Sequence, residues 1–306
     1  MVWDITHNLD NLCLVPSPRL LQRNSKKTLF KMASGADQLY ALKYPFKDPK
    51  FIFFTDFDGT ITLKDSNDYM TDNIGFGGDL RRQGNRDVLE GKDTFRDSFR
   101  KMLDSVKKPF PECIDYLVEN IKLDPGFKEY FEWSLAQGIP TVVVSSGMEP
   151  IIRAILKNLI GPDHDKLDIV ANDVEAREGM SIDQEGGWTI KYHDESGFGH
   201  DKSLTIRPYA NLPASQRPTL FYAGDGVSDL SAARETDLLF AKKGHDLIRY
   251  CARENVPFTV FEDWTDILKV TKQIVAGEKS VQDAAKEGFE DFKSGNAGLE
   301  ANGHAK

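Results

Sequence analysis

Short apolar runs that stop at small or acidic residues are the feature that most constrains this chain. The run FIFFT (51–55) ends directly before Asp56, and the run in PTVVVSS ends at Ser145 and Ser146. TLFYAGD (219–225) is a third run of this kind, and LLFAKK (238–243) and PFTVF (257–261) are two further short apolar runs. Runs of this length predict buried β-strands. Because helical stretches lie between them, we expect an α/β fold with a parallel sheet, whose ligands bind beyond the carboxyl ends of the strands.

The composition excludes several classes of protein. The 306 residues carry 39 basic and 48 acidic side chains, for a net charge of −9, whereas nucleic-acid-binding domains are usually basic. No apolar run approaches the ~18 residues that a membrane helix needs. Cys13, Cys113 and Cys251 are far apart, so neither a disulfide framework nor a zinc cluster is expected. We therefore expect a cytoplasmic protein without a nucleic-acid, membrane or obligate protein partner.

The chain divides into four predicted parts. Residues 1–48 are predicted to form a partly disordered extension; because residues 1–31 are basic, a mitochondrial presequence and a translation start at Met32 stay open. Residues 49–64 and 126–275 are predicted to form the core. Asp56 and Ser145 are too far apart for one strand–helix step, so residues 65–125 are predicted to form a small helical cap. Residues 276–306 are predicted to form a C-terminal helix, with a disordered tail over about the last dozen residues.

Two acidic pairs follow the predicted strands. Asp56 and Asp58 come after the first run, and Asp225 and Asp229 lie around the end of the third. Solvated turns and an aspartate helix cap are the alternative interpretation for each pair taken alone. Brought together at one sheet edge, the four carboxylates need a divalent cation, and a set of oxygen ligands suits Mg²⁺.

Three further residues predict an anion site. Ser145 and Ser146 stand where a strand gives way to a helix, and hydroxyl and N–H groups at such a place bind phosphate. Lys202 would add a positive charge. Each is ambiguous alone, because serine is a common helix cap and most lysines are solvated.

The segments DFDGT, VVVSSG, Lys202 and GDGVSD, in this order, resemble the haloacid-dehalogenase-like phosphatases. The resemblance covers residues 50–270 and is greatest to the phosphoserine-phosphatase-like branch and its diketo-methylthio-phosphopentane-phosphatase-like relatives. It implies a Rossmann-like parallel sheet with helices on both faces and a helical cap inserted after the first strand.

The resemblance also implies roles for the site residues. Asp56 would be the nucleophile that forms an aspartyl-phosphate, and Asp58 would be the general acid and base. Mg²⁺ would be held by Asp56, the backbone carbonyl of Asp58, and Asp225. Ser145, Ser146 and Lys202 would bind the phosphate oxygens, and Asp229 would orient Lys202 or a metal-bound water.

The predicted substrate is a small soluble phosphomonoester, because a cap excludes bulky substrates. In phosphoserine phosphatases an acidic residue at the position of Asp65 meets the substrate amine, and an arginine at the position of Met102 binds its carboxylate. The methionine argues against phosphoserine unless Arg96 or Arg100 substitutes. Asp65, Asn67 and Asp68 suit a polyol or sugar phosphate, although they also fit a capped helix start.

Several alternatives stay open. A phosphoserine phosphatase, a diketo-methylthio-phosphopentane-type phosphatase and a phosphotransferase would share the aspartyl-phosphate chemistry, and a regulatory pseudoenzyme would keep the residues without turnover. His193, His200 and His245 lack metal-ligand spacing, so we interpret them as surface or structural residues.

Overall fold

The structure, a computed structural model, describes residues 49–298. The predictions for residues 1–48 and 299–306 lie outside this range. The strands are β1 (Phe51–Thr55), β2 (Thr141–Met148), β3 (Asp168–Ala176), β4 (Trp188–Lys191), β5 (Thr219–Gly224), β6 (Leu238–Lys242) and β7 (Phe258–Phe261). The α-helices are α1 (Ser66–Ile74), α2 (Gly78–Leu89), α3 (Phe95–Asp104), α4 (Phe110–Asn120), α5 (Phe127–Ala136), α6 (Glu149–Ile160), α7 (Lys202–Ala210), α8 (Leu230–Ala233), α9 (Leu247–Glu254), α10 (Trp264–Val275) and α11 (Val281–Ser294).

The seven strands form one sheet in the order β4-β3-β2-β1-β5-β6-β7. All neighbouring pairs are parallel except β3 and β4, which form an antiparallel hairpin. The α/β fold with a mainly parallel sheet is therefore confirmed. Because β1 lies between β2 and β5, the carboxyl ends of these three strands are adjacent, and this adjacency defines the place for a site.

The sheet is buried on both faces because β1 alternates its side chains between two apolar clusters. Phe53 belongs to one cluster, where its ring contacts those of Tyr130 and Trp264. Ile52 and Phe54 belong to the other. A strand covered on both faces is typically a continuous apolar run, which explains why residues 51–54 of β1 are all apolar.

Four helices, α1 to α4, lie between β1 and the helix that precedes β2. The two segments that lead into and out of them pair through an antiparallel bridge between Thr62 and Leu123. On either side of it, Leu63 N–H donates to Lys122 and Asp124 N–H donates to Ile61. This narrow double connection is compatible with the predicted cap. That residues 65–125 form a separate domain stays a prediction.

Helix α3 begins later than its amphipathic pattern indicates. Residues 90–103 (EGKDTFRDSFRKML) space Phe95, Phe99 and Met102 three to four positions apart, which predicts an amphipathic helix from residue 90. The helix begins instead at Phe95, because the Thr94 side chain accepts the N–H of Asp97 and caps it. The predicted face is kept, since Phe95 and Phe99 stack on each other.

The C-terminal helix is present, and part of the predicted disordered tail is ordered. Helix α11 packs against β7 so closely that a Cβ on Gly288 would lie 2.1 Å from the carbonyl oxygen of Phe258. After the helix, Ala297 is fully buried and its carbonyl accepts the N–H of Gly244. The prediction of disorder is therefore wrong for residues 295–298, because the apolar Ala297 finds a place against the core.

Within residues 49–298 no helix is both long and apolar enough to cross a membrane.

Candidate active site

The predicted catalytic residues meet where β1, β2 and β5 end. Asp56 directly follows β1, and its N–H donates to Ala223 of β5 over 2.8 Å. Ser145 lies near the end of β2, Asp225 directly follows β5, and Lys202 is the first residue of α7. The register of the three parallel strands therefore brings together residues that are far apart in sequence.

Asp56 is almost completely buried and is held by two donors. Its Oδ1 accepts the N–H of Phe57 at 2.8 Å and lies 2.8 Å from Lys202 Nζ. Burial raises the pKa of Asp56 to about 7, against the opposing effect of Lys202. Its Oδ2 accepts no hydrogen bond from the described residues, so one oxygen is left to react with a ligand.

Lys202 and Asp229 form a fully buried ion pair beneath Asp56. Lys202 Nζ is 2.6 Å from Asp229 Oδ1, which also accepts the hydroxyl of Tyr222 at 2.6 Å. Burial alone would lower the pKa of Lys202, but Asp229 and Asp56 raise it, so the ammonium stays charged. Asp229 Oδ2 accepts the N–H groups of Asp225 and Gly226, both at 3.0 Å.

The carboxylates of Asp56, Asp225 and Asp229 each place an oxygen within 4.8 Å of the others. Burial, and then repulsion from Asp229 and Asp56, raise the pKa of Asp225 well above its usual range. Such a cluster of oxygen donors fits Mg²⁺, which prefers carboxylates and water. Because Asp229 already accepts four donors, Asp56 and Asp225 are the better ligands. The carboxylate of Asp58 is not part of this cluster.

Asp58 faces the cap instead. Its Oδ1 accepts the N–H of Ser66 at 2.7 Å, and its Oδ2 accepts the amide of Asn67 at 2.9 Å. Burial, followed by the charge of Asp65, raises the pKa of Asp58 well above its usual range. The side chain is thereby held in one orientation by the first residues of α1.

Within the described part of the chain, the serine segment carries an unpartnered hydroxyl beside these carboxylates. The register between β2 and β3 shifts between Ser145 and Met148, and within this stretch the N–H of Gly147 donates to Ser145 Oγ over 3.0 Å. The hydroxyl of Ser146 is buried without a hydrogen-bond partner among the described residues. A Cβ on Gly147 would lie 3.2 Å from Asp58 Oδ2, so glycine permits this close approach.

Two side chains that hold this segment were not predicted as site residues. Asn172 was not singled out in the sequence, and His200 was interpreted as a surface or structural residue. Asn172 is fully buried, and its amide donates to the Ser146 carbonyl over 2.7 Å while its oxygen accepts the N–H of His193. His200 is buried, and its Nδ1 lies 2.8 Å from the Ser145 carbonyl. Asn172 sits in a strand without any motif around it, so no sequence signal marks it. His245, also interpreted as structural, places Nδ1 3.5 Å from Asp225 Oδ2.

These residues surround a cavity of about 240 Å³. Asp65, Asn67 and Met102, all predicted as specificity candidates, line it together with Asp68, Asn85, Phe95, Phe99 and Ser228. Asp65 caps α1 by accepting the N–H of Asp68, and the Oδ1 of Asn67 is buried without a partner among the described residues. Among the described residues that line the cavity, Lys202 is the single basic side chain.

The structure does not bring Arg96 and Arg100 to the cavity. Arg96 donates to the carbonyls of Asp194 and Ser196, and Arg100 donates to Thr189 and to the carbonyl of Ile190. Both guanidinium groups also lie over the ring of Tyr192. Their proposed part in reading a substrate carboxylate is wrong for this arrangement, because they fasten α3 to the segment around β4.

Comparison with known proteins agrees with this geometry. A family model of haloacid dehalogenase-like hydrolases matches residues 53–234. The chain belongs to this family. Among relatives of this hydrolase, a polyol phosphate phosphatase (PYP1) of Saccharomyces cerevisiae is 53% identical, with 76% of this chain and 97% of that protein covered. Pdp3-interacting factor 1 of Schizosaccharomyces pombe is 54% identical, with 71% of this chain and 92% of that protein covered.

The fold of the hydrolase is also found among solved structures. A substrate-bound phosphoserine phosphatase aligns with a TM-score of 0.50 at 20% identity, over 73% of this chain and 99% of that one. At this identity the likeness concerns the fold. The predicted family is confirmed by the family model and by the two relatives above 50% identity.

Proposed function

We propose that this protein is a Mg²⁺-dependent phosphomonoesterase that hydrolyses a small polyol phosphate through an aspartyl-phosphate on Asp56. The observation that carries the proposal is the charge of the cavity. Five aspartates line it, namely Asp56, Asp58, Asp65, Asp68 and Asp225, against the one basic side chain of Lys202. The identity of 53% to a polyol phosphate phosphatase supports the same substrate class.

In the first step the free Oδ2 of Asp56 attacks phosphorus in line, and the bond from phosphorus to the leaving alkoxide breaks. Lys202 stays charged between Asp56 and Asp229 and faces the negative phosphate oxygens. The hydroxyls of Ser145 and Ser146 donate to the other oxygens. In the proposed reaction, Lys202 and the two serines therefore hold the phosphate oxygens while Asp56 attacks.

Asp58 gives the leaving alkoxide a proton and later removes one from the attacking water. Its carboxyl is fixed by Ser66 and Asn67 on the cap side of the cavity. In the proposed reaction it faces the ester oxygen of the substrate while phosphorus faces Asp56. Water then hydrolyses the aspartyl-phosphate, which regenerates Asp56 and releases phosphate.

Asp56, Asp225 and the backbone carbonyl of Asp58 are the groups that would hold Mg²⁺. When bound, the ion neutralises charge on both the carboxylate and the phosphate, which otherwise repel each other. Asp229 already accepts four hydrogen-bond donors, one of them Lys202. This supports a role for Asp229 in positioning Lys202 rather than in binding the ion.

The rest of the cavity supports a neutral, hydroxylated leaving group. The unpartnered Oδ1 of Asn67 is an acceptor for a hydroxyl, and Asp65 and Asp68 offer further acceptors. A phosphoserine carboxylate would meet Met102 and no guanidinium, since Arg96 and Arg100 face elsewhere. An unpaired buried carboxylate costs about 2–5 kcal/mol, so phosphoserine is the poorer substrate.

We also propose that residues 65–125 act as a cap. The support is that Phe95, Phe99 and Met102 of α3 line the cavity above the catalytic residues, while the two connecting segments pair at Thr62 and Leu123. A cap of this kind excludes water and large substrates. We therefore expect no phosphoprotein or nucleic-acid substrate.

A reducing, cytoplasmic location completes the proposal. Of the described cysteines, Cys113 and Cys251 are buried and unpaired. Buried free thiols are typical of proteins from such compartments.

The test is phosphate release from one panel of esters, with Mg²⁺ and with EDTA. The panel holds glycerol, tetritol, pentitol and hexitol phosphates, phosphoserine and phosphoethanolamine. We expect turnover that EDTA abolishes, and a kcat/KM for a polyol phosphate at least about tenfold above that for phosphoserine. A preference for phosphoserine, or for the cationic phosphoethanolamine, would contradict the proposed substrate class.

A second assay separates hydrolysis from transfer. Phosphate and phosphorylated acceptor are both measured in the presence of an added alcohol. Hydrolysis predicts that free phosphate accounts for the ester consumed. Accumulation of the phosphorylated alcohol in its place would make the protein a phosphotransferase.

A further inference from the structure

A second cavity adjoins the catalytic one and differs from it in character. It has a volume of about 360 Å³, and the two cavities share Asn85, Phe95, Phe99, Met102 and Ser228 as lining residues. The second cavity extends along α2 toward Val88 and Leu89. Its volume lies in the range of small-molecule sites.

The wall of this second cavity is largely apolar. Phe95 stacks on Phe99 and also contacts Phe198, so three aromatic rings form one continuous side. Phe198 and Leu89 are exposed by 41% and 78%, which leaves large apolar side chains in solvent beside a site. Such exposure is typical of surfaces that bind an apolar ligand.

Charge in the second cavity is neutralised. Arg81 is its one charged lining residue among those described. Its guanidinium lies 2.6 Å from Asp68 Oδ2 and donates to both oxygens of Asp72, at 2.7 and 2.9 Å. Because these carboxylates already satisfy the arginine, the cavity offers no free charge to a polar ligand.

We propose that this apolar cavity is a subsite for the tail of a second class of substrate, phosphomonoesters of apolar alcohols. The phosphate of such an ester binds at Asp56, and its alkyl or aryl tail passes Met102 and Phe99 into the apolar cavity. The continuity of the two cavities identifies the occupant as part of the ester. The inference rests on the proposed phosphatase activity and extends it beyond polyol phosphates.

The chemistry is the same hydrolysis with a different leaving group. The bond between phosphorus and the alcohol oxygen breaks, the bond to Asp56 forms, and Asp58 gives its proton to the alkoxide. Water then replaces Asp56 on phosphorus, so the products are an apolar alcohol and phosphate. No further reactant is needed.

A series of n-alkyl phosphates from two to eight carbons tests the subsite. Burial of one methylene contributes about fourfold in binding. We therefore expect kcat/KM to rise about two- to fourfold per methylene once the tail reaches the apolar cavity. The full chain is assayed with Mg²⁺ beside a polyol phosphate in the same preparation.

Variants locate the effect. The double substitution Leu89→Ser and Phe198→Ser makes the cavity wall polar without adding charge, and we expect it to flatten the rise with chain length. Leu80→Ser is the matched control: Leu80 lies on the same helix, is 58% exposed and does not line the cavity. We expect this control to keep the wild-type slope.

The outcomes are distinguishable. A rise that the double variant flattens and the control keeps supports the subsite. A flat or falling series in a preparation that hydrolyses polyol phosphates overturns the subsite and leaves the proposed function standing. A rise that both variants keep places the tail elsewhere and also overturns it. Absence of turnover on every ester removes both the proposed function and the inference.

Discussion

Lys202 lies between two carboxylates, with Nζ 2.8 Å from Asp56 Oδ1 and 2.6 Å from Asp229 Oδ1. Asp229 is fully buried and accepts four donors in all. Besides Lys202, these are the hydroxyl of Tyr222 on β5 and the N–H groups of Asp225 and Gly226 in the turn after that strand, and they fix its position. The ammonium that faces the nucleophile is therefore positioned by a residue that need not touch the substrate. This relationship leads to the first prediction.

Asp229→Asn is expected to reduce kcat by about 10–100-fold, because the amide keeps the shape but loses the charge that holds Lys202. Steady-state kinetics and thermal unfolding of the variant are measured together. Asp246→Asn, at an exposed helix start, serves as the control. An Asp229→Asn enzyme with unchanged kcat would show that Lys202 is positioned without it.

Asn172→Leu is expected to weaken phosphate binding. The substitution keeps the volume but removes the donor to the Ser146 carbonyl and the acceptor for His193. We expect the inhibition constant for inorganic phosphate to rise about tenfold, in line with the loss of one or two hydrogen bonds. Asn158→Leu, at an exposed site on α6, is the control. Unchanged phosphate inhibition would contradict a positioning role for Asn172.

Asp58→Asn is expected to slow hydrolysis according to the leaving group. For a polyol phosphate, whose alkoxide needs a proton, kcat should fall about 10²–10⁴-fold. For p-nitrophenyl phosphate, whose leaving group needs no proton, formation of the phosphoenzyme should fall far less. Rapid-mixing measurement of nitrophenol release separates the two steps. Equal losses for both esters would refute general-acid catalysis by Asp58.

Met102→Arg is expected to shift specificity toward phosphoserine. Met102 lines the cavity and is nearly buried, so a guanidinium there would face a substrate carboxylate. A hydrogen bond to a charged group is worth about 1.5–3 kcal/mol, which predicts at least about a tenfold rise in the ratio of phosphoserine to polyol phosphate kcat/KM. Arg100→Met, remote from the cavity, should leave that ratio unchanged. A ratio unaltered by Met102→Arg would contradict the account of specificity.

The sequence was sufficient to predict the sheet and most residues of the candidate active site. Strands with two buried faces give uninterrupted apolar runs, so β1, β2 and β5 could be recognised and their carboxyl ends placed together. Asp56, Asp58, Ser145, Ser146, Lys202 and Asp225 all line the one cavity, with Asp229 beneath it.

Side-chain direction and long-range hydrogen bonds were harder to predict. Phe95, Phe99 and Met102 face the cavity, and each helical residue is turned about 100° from its neighbour. Arg96 directly follows Phe95, and Arg100 directly follows Phe99, so both arginines point away from the cavity and toward β4. The helical periodicity of the sequence alone would have indicated this. Asn172 could not be found in this way, because its importance depends on the register between β2 and β3.

Trapping of the covalent intermediate tests the central claim most directly. The enzyme is mixed with a ³²P-labelled polyol phosphate in Mg²⁺, quenched in acid and digested, and the labelled peptide is sequenced. We predict acid-stable label on the peptide that contains Asp56, and none in Asp56→Asn, which should keep the thermal unfolding of the parent chain. Label on another residue, or turnover without any label on Asp56, would contradict the account.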